Sequence, residues 1–93
     1  MKKPIGGQII TVKANTELIT SANLGLTKEV EHLRVDAFYI KNEDTKDIFV
    51  KINNSEQMIL KAGEMFNFKN LTKVGSCIVV TGNSIIRWGG LVG

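Results

Sequence analysis

Residues 48–52 read I-F-V-K-I, and this stretch gives the clearest indication of the fold. Its aliphatic residues alternate with Phe49 and Lys51. Because the side chains of an extended strand point to opposite faces in turn, a period of two is typical of a strand with one face in a core. We therefore predict a strand that buries its aliphatic residues and presents Phe49 and Lys51 on its other face.

Short segments of the same kind recur along the chain and end at polar turns. The turns include N-E-D-T-K-D, N-N-S-E-Q, A-G-E and T-G-N-S, where glycine and asparagine tolerate a left-handed backbone. We predict seven or eight short strands and no helix of useful length. The expected architecture is all-β, an antiparallel β-sandwich or jelly-roll-like fold, in a single domain over residues 1–93 with residues 1–7 as a flexible lead-in.

Alternation also predicts side-chain directions in a strand at about residues 32–41. One face would carry Leu33, Val35, Ala37 and Tyr39, and the other Arg34, Asp36 and Phe38. The preceding segment is ambiguous because Thr27 is a suitable cap for one helical turn over residues 28–33, although we favour a loop. Near the N terminus, Q-I-I-T-V-K, A-N-T-E and L-I-T predict a short hairpin or a strand–turn–strand.

The composition limits the classes of protein to which the chain can belong. It has 93 residues, 43% of them apolar and 23% charged, with a formal net charge of +3. A domain this short buries only about 60–65% of its unfolded surface, so we expect association with copies of itself. The basic residues are interspersed with acidic ones and form no long block, and we expect no nucleic-acid partner.

The sequence also bears on compartment and membrane. No apolar run approaches the roughly 18 residues that span a bilayer, so we expect no membrane partner. The start, M-K-K-P-I-G-G-Q, lacks the apolar core of a signal peptide, which predicts a protein made in a cytoplasm. The single cysteine, Cys77, lies among aliphatic residues, and we interpret it as a small buried hydrophobic residue.

The sequence predicts no enzyme, no cofactor and no metal site. His32 is the only histidine, and no serine has a histidine near it in sequence to act as a base. Glu43, Asp44 and Asp47 form an acidic group, but their spacing does not match a helix–loop–helix calcium loop. We interpret this group as a solvated turn and leave open whether it binds an ion.

Two glycine pairs also need an interpretation. A phosphate-binding loop needs a strand before the glycines and a helix after them, and neither pair has that context. We interpret Gly6 and Gly7 as part of the lead-in. Gly89 and Gly90 predict a bend or bulge within the last strand.

The last strand also contains I-I-R-W, in which Ile86 and Trp88 share one face and Arg87 lies on the other. The simpler interpretation buries Ile86 and Trp88 and leaves Arg87 outside, bonded to a carboxylate. The alternative places Arg87 or Trp88 at a contact with another subunit, because both residue types are enriched in interface hot spots. With the two phenylalanines that alternation places outward, the interface candidates are Arg87, Trp88, Phe49 and Phe38.

The order of these segments resembles a known class of proteins. F-Y-I-K-N-E-D-T-K-D-I-F-V-K-I-N-N, M-I-L-K-A-G-E-M-F-N-F and V-G-S-C-I-V-V-T-G-N-S-I-I-R-W-G-G follow one another over residues 38–90. This cadence resembles small β-sandwich virion proteins, head or tail accessory components, of tailed bacteriophages or prophages. Unlike cupin enzymes with a similar G-E corner, the chain lacks a histidine pair that would bind a metal.

The resemblance implies a non-enzymatic virion structural protein that decorates or joins parts of a head or tail. It would act by homo-oligomeric assembly, with other virion proteins as partners, in a particle built in the bacterial host cytoplasm. Two alternatives stay open. A carbohydrate-binding module would use Trp88, Tyr39, Asn53, Asn54 and Asn83. A single-stranded nucleic-acid-binding β-barrel would use the pairs Phe38/Arg34 and Phe49/Lys51.

Overall fold

The computed structural model describes residues 3–25, 33–68 and 73–92, which form eight β-strands and no helix. The strands are β1 (Lys3–Val12), β2 (Thr16–Glu17), β3 (Asp36–Asn42), β4 (Ile48–Ile52), β5 (Met58–Leu60), β6 (Met65–Asn67), β7 (Cys77–Val79) and β8 (Ser84–Val92). The all-β prediction is confirmed for these residues. A helix long and apolar enough to cross a membrane does not occur among them.

The strands form two antiparallel sheets of four strands each, in the orders β1-β8-β3-β6 and β2-β7-β4-β5. Four pairs are nested, because β1 pairs with β8, β2 with β7, β3 with β6 and β4 with β5. Successive strands therefore alternate between sheets over much of the chain. In particular β1 and β2 lie in different sheets, so no hairpin forms at the N terminus. β2 also lies inside the predicted A-N-T-E turn, and L-I-T, which was predicted as a strand, is not one.

The two sheets share one hydrophobic core, and β4 fits it as predicted. Ile48 and Val50 are fully buried, and Ile52 is nearly so. Phe49 is 41% exposed and Lys51 is half-buried on the opposite face. Because the ladder through β4 is regular, alternation in the sequence translates directly into alternation of burial.

The prediction for β3 is wrong beyond Ala37. Val35 is buried as expected, but Phe38 is also fully buried, together with Ile40 and Asn42. The register against β8 shifts between Asp36 and Tyr39, and Ala37 takes a positive φ of 51°. This β-bulge inserts one extra residue, so every later side chain of the strand moves to the opposite face. The segment around Thr27 and His32 lies outside the described residues.

The glycine pair in β8 explains where the bulges form. A Cβ on Gly90 would lie 2.3 Å from Cγ1 of Val35, and one on Gly89 would lie 2.6 Å from the carbonyl oxygen of Ile5. β3 bulges opposite Gly90, and β1 bulges opposite Trp88, next to Gly89. At both glycines the neighbouring strands approach too closely for a side chain. The prediction placed a bend or bulge in the last strand itself, and the structure places bulges in its two neighbours.

The N-terminal glycines have a related role. Gly6 and Gly7 have φ values of 77° and 89°, which side-chain-bearing residues rarely adopt, and they form the bulge in β1. A Cβ on Gly6 would also lie 2.2 Å from the carbonyl oxygen of Trp88. Residues 3–7 are therefore part of β1 and not a separate lead-in, because the glycines let the strand follow β8 through its irregular stretch.

A buried asparagine anchors the β3–β4 turn. The side-chain amide of Asn42 donates to the carbonyl oxygens of Lys46 (2.7 Å) and Leu60 (2.9 Å). Its Oδ1 accepts the backbone N–H of Asp44 at 2.8 Å. Asn42 thereby fastens the turn to β5 and satisfies backbone groups that would otherwise be buried without partners.

Candidate functional site

The structure places two of the four interface candidates in the core. Phe38 is fully buried and Trp88 nearly so, and their ring centroids lie 6.0 Å apart. Phe68 lies on the other side of Phe38, with ring centroids 6.2 Å apart. Phe38 and Trp88 are therefore removed from the candidate contact surface, because neither offers appreciable area to a partner of the folded chain.

Arg87 lies outside the core, as the simpler interpretation of the last strand predicts. Its guanidinium Nη2 is 3.0 Å from a carboxylate oxygen of Glu43, and Lys41 Nζ is 3.1 Å from the other oxygen. The three side chains meet because Lys41 and Arg87 are cross-strand partners in β3 and β8. They form a charged group with two cations around one carboxylate.

The charged group lies within the first of two exposed sheet faces. We call this surface, the outer side of the sheet that contains β8, the β8 face. It is formed by Ile9, Lys41, Glu43, Met65, Ile85 and Arg87. Ile9 is 56% exposed and Met65 48% exposed, and they lie on either side of the charged group in register. The β8 face thus has a charged centre with apolar flanks.

The second surface, on the outer side of the other sheet, differs in having an apolar centre. We call it the β4 face, and it is formed by Asp47, Phe49, Lys51, Ile59, Ile78 and Val80. Phe49 and Ile59 are cross-strand partners, and Ile59 is 44% exposed. The backbone N–H of Val80 donates to the carbonyl oxygen of Phe49 at 2.8 Å, which continues the same row. The remaining interface candidate, Phe49, is therefore the centre of an apolar row across three chain segments.

The acidic residues of the β3–β4 turn are each bound by other groups of the chain. Asp44 accepts the backbone N–H groups of Thr45 (2.7 Å) and Ile85 (3.1 Å), which hold the pKa of its carboxyl below its ordinary value. Asp47 accepts the backbone N–H of Ala62 at 3.0 Å, and Glu43 holds the cations of the β8 face. Within residues 3–25, 33–68 and 73–92, no group of three or more His, Cys, Asp or Glu side chains is arranged to hold a metal ion.

Cys77 is buried, and its surroundings are those of a structural residue. Burial raises the pKa of its thiol far above its ordinary value, and the nearby carboxylate of Glu17 adds to the effect. A thiol in this setting stays protonated and is a poor nucleophile. His32 lies outside the described residues, so the structure does not bear on its role.

Glu17 was not singled out by the sequence, although it joins β2 to β7. Its carboxylate accepts the backbone N–H of Cys77 at 2.7 Å, that of Ile19 at 3.2 Å and the hydroxyl of Ser76. Asn42 was missed in the same way. A polar residue in a strand of two residues, or one at the end of a strand, gives no periodic signal, and only the folded chain reveals its partners.

Known proteins offer no further guide to this site. A scan against protein-family models and searches of curated proteins and of solved structures found no match to the chain. Function is therefore inferred from the two exposed faces and from the sequence resemblance over residues 38–90.

Proposed function

We propose that this chain is a non-enzymatic structural component of a tailed-phage virion that acts by homo-oligomeric assembly. The main evidence for self-assembly is the apolar row of the β4 face, where Phe49 and Ile59 expose large side chains beside Val80. Such a row on the outer side of a sheet is typical of a surface that another protein covers. The virion part rests on the resemblance over residues 38–90.

The nested strand pairing supports a finer description of the fold. We infer a β-sandwich of the jelly-roll type, because a long hairpin of eight strands that folds over on itself yields the orders 1-8-3-6 and 2-7-4-5. Jelly rolls are common in viral capsid domains and also in lectins and cupins. The fold thus agrees with a virion role by analogy but does not by itself select it.

The two alternatives receive less support from the placement of their residues. A sugar-stacking surface needs an exposed aromatic ring, and Trp88 lies in the core. Asn53 is also engaged, since its Oδ1 accepts the backbone N–H groups of Gly75 (2.8 Å) and Ser76 (3.2 Å). The nucleic-acid hypothesis relies on two aromatic–basic pairs. Because Phe38 is buried, only the pair of Phe49 and Lys51 has an exposed ring.

Static light scattering on the purified chain tests the assembly claim. We expect a molar mass that is a multiple of the chain mass and that rises with protein concentration. A single-chain mass at every concentration up to the millimolar range would contradict homo-oligomeric assembly. For the virion claim, we expect the neighbouring genes to encode head or tail proteins, and a neighbourhood of metabolic genes would count against it.

A further inference from the structure

We propose that a second copy of this chain docks on the β4 face, around a two-fold axis that runs along the row of Ile59, Phe49 and Val80. This inference rests on the proposed function and deepens it, since it names the surface and the symmetry of the assembly.

The sheet edges are poorly suited to pairing with another copy. β1 is the only long edge strand among the described residues, and it carries Lys3, Pro4 and the bulge at Gly6 and Gly7. Lysine, proline and bulges are the features by which natural proteins prevent edge-to-edge association. The other edge strands, β2, β5 and β6, have only two or three residues each. Association is therefore expected through a face.

The two faces differ in what a partner would have to desolvate. On the β8 face, a partner would cover the group of Lys41, Glu43 and Arg87, whose ion pairs are partly solvated and whose sum is one positive charge. Removing such a group from water is unfavourable unless new partners replace the water. On the β4 face, the central row contains only Ile59, Phe49 and Val80 and has no charge to desolvate.

Charges beside the apolar row make the β4 face complementary to itself. Asp47 lies just before β4, and together with the outward residues of the strand it gives the series Asp47, Phe49, Lys51, from negative through apolar to positive. A two-fold axis along the row reverses the direction of β4 in the second copy. Each Phe49 then lies over its counterpart, while Asp47 of each copy faces Lys51 of the other, so both ion pairs form at once.

The neighbouring strand β5 fits the same arrangement. Continuing the register of β4 and β5 by one residue at each end places Lys61 beside Asp47 and Gln57 beside Lys51. The two-fold axis sets Lys61 of one copy over the uncharged Gln57 of the other. The arrangement therefore brings no like charges together on these two strands.

The first test compares one substitution on each face. Phe49→Asp places a charge in the centre of the proposed contact, and we expect it to weaken self-association by at least about 30-fold, the effect of losing an interface hot spot. Ile9→Asp is the matched control, because Ile9 is even more exposed than Phe49 but lies on the β8 face. We expect Ile9→Asp to leave the association constant, measured by sedimentation equilibrium, within about threefold of the wild-type value.

The second test exchanges charges and probes the symmetry itself. Lys51→Glu and Asp47→Lys should each weaken self-association, because each sets like charges against one another twice in the dimer. An equimolar mixture of the two variants should recover the dimer as a mixed species, because the substituted side chains then face opposite charges. Asp47→Lys also removes an acceptor of the Ala62 N–H, so circular dichroism and thermal unfolding must first establish that it folds.

The outcomes separate this inference from the proposed function. Wild-type protein that stays monomeric would overturn both. Wild-type protein that associates, but is dissociated by Ile9→Asp and not by Phe49→Asp, would leave homo-oligomeric assembly standing and overturn the assignment to the β4 face. Failure of the mixed variants to associate, when each is folded, would overturn the two-fold axis proposed here.

Discussion

Two strands of this protein, β4 and β3, each carry a phenylalanine that alternation places on the outer face of a sheet. In β4, Phe49 lies there and is 41% exposed. In β3, Phe38 lies in the core and contacts Trp88. Alternation therefore sets the face of a residue only as far as the ladder is regular. One inserted residue, Ala37, reverses the outcome for the rest of the strand.

The reason for the difference lies in the strand next to each phenylalanine. β4 pairs with β5 and β7 without a register shift. β3 pairs with β8, where Gly89 and Gly90 leave no room for a Cβ and the neighbouring strands bulge on both sides. Whether the phenylalanine of β3 is exposed to a partner therefore depends on packing around two glycines that lie in another strand.

Truncating each of the two phenylalanines to alanine should give the largest difference in stability. Phe38→Ala opens a cavity in the core, and we expect it to lower the free energy of unfolding by about 3–5 kcal/mol. Phe49→Ala removes a side chain from an exposed face, and we expect a change within about 0.5 kcal/mol in the monomer. Urea denaturation at dilute protein concentration measures both without the contribution of association. Small and equal losses would show that neither ring is buried and would contradict the bulge.

Gly90→Ala should give the next largest loss of stability, because it adds a methyl group at the close contact that causes the bulge. The added methyl would meet Cγ1 of Val35 at 2.3 Å and the carbonyl oxygen of Asp36 at 2.7 Å. Displacing packed side chain and backbone costs about 1–3 kcal/mol or more. Gly82→Ala is the control, since its Cβ would meet Ala14 at an ordinary 3.4 Å. If both variants lost the same stability, close packing at Gly90 would not explain the irregular ladder.

Asn42→Leu tests the buried asparagine that follows the bulge and its hydrogen bonds to the backbone. Asn42 faces the core only because the bulge has shifted the face of β3, and it supplies partners to three backbone groups. A leucine of similar size leaves these groups unpaired, and we expect a loss of about 1–3 kcal/mol in thermal or urea unfolding. If the substitution left the free energy of unfolding unchanged or raised it, water would reach the turn and Asn42 would not be buried.

The smallest expected effect concerns the pH dependence of Asp44. Because its pKa is lowered in the folded chain, its contribution to stability is present above the ordinary value of 3.8 and is lost as the pH falls through the lowered pKa. Asp44→Asn removes this titration. We expect wild-type stability to fall more steeply than that of the variant below pH 3.8, and parallel curves would show that the two backbone N–H donors do not hold the carboxylate.

Much of the fold could be predicted from the sequence, because it depends on local patterns. Alternation in β4 and the turns at Gly63 and Asn83 follow from residues within a few positions. The simpler interpretation of the last strand, with Ile86 and Trp88 in the core and Arg87 paired with a carboxylate, was also correct.

The rest depends on contacts between residues far apart in the chain. The phase of β3 is set by glycines more than fifty positions later, and Ser76 and Cys77, the partners of Glu17, are 59 and 60 positions away from it. No pattern within a window of ordinary length contains such information. The same limit explains why Phe38 and Trp88 were predicted at a contact surface while the row around Phe49 was recognised only in part.

The most direct test of the account compares the two faces in solution by methyl NMR. Resonances of Ile59 and Val80 report on the β4 face, and those of Ile9 and Ile85 report on the β8 face. As the protein concentration rises, we predict progressive chemical-shift changes for Ile59 and Val80 and constant shifts for Ile9 and Ile85. Changes confined to Ile9 and Ile85 would contradict the account, and so would four resonances that stay constant up to millimolar concentration.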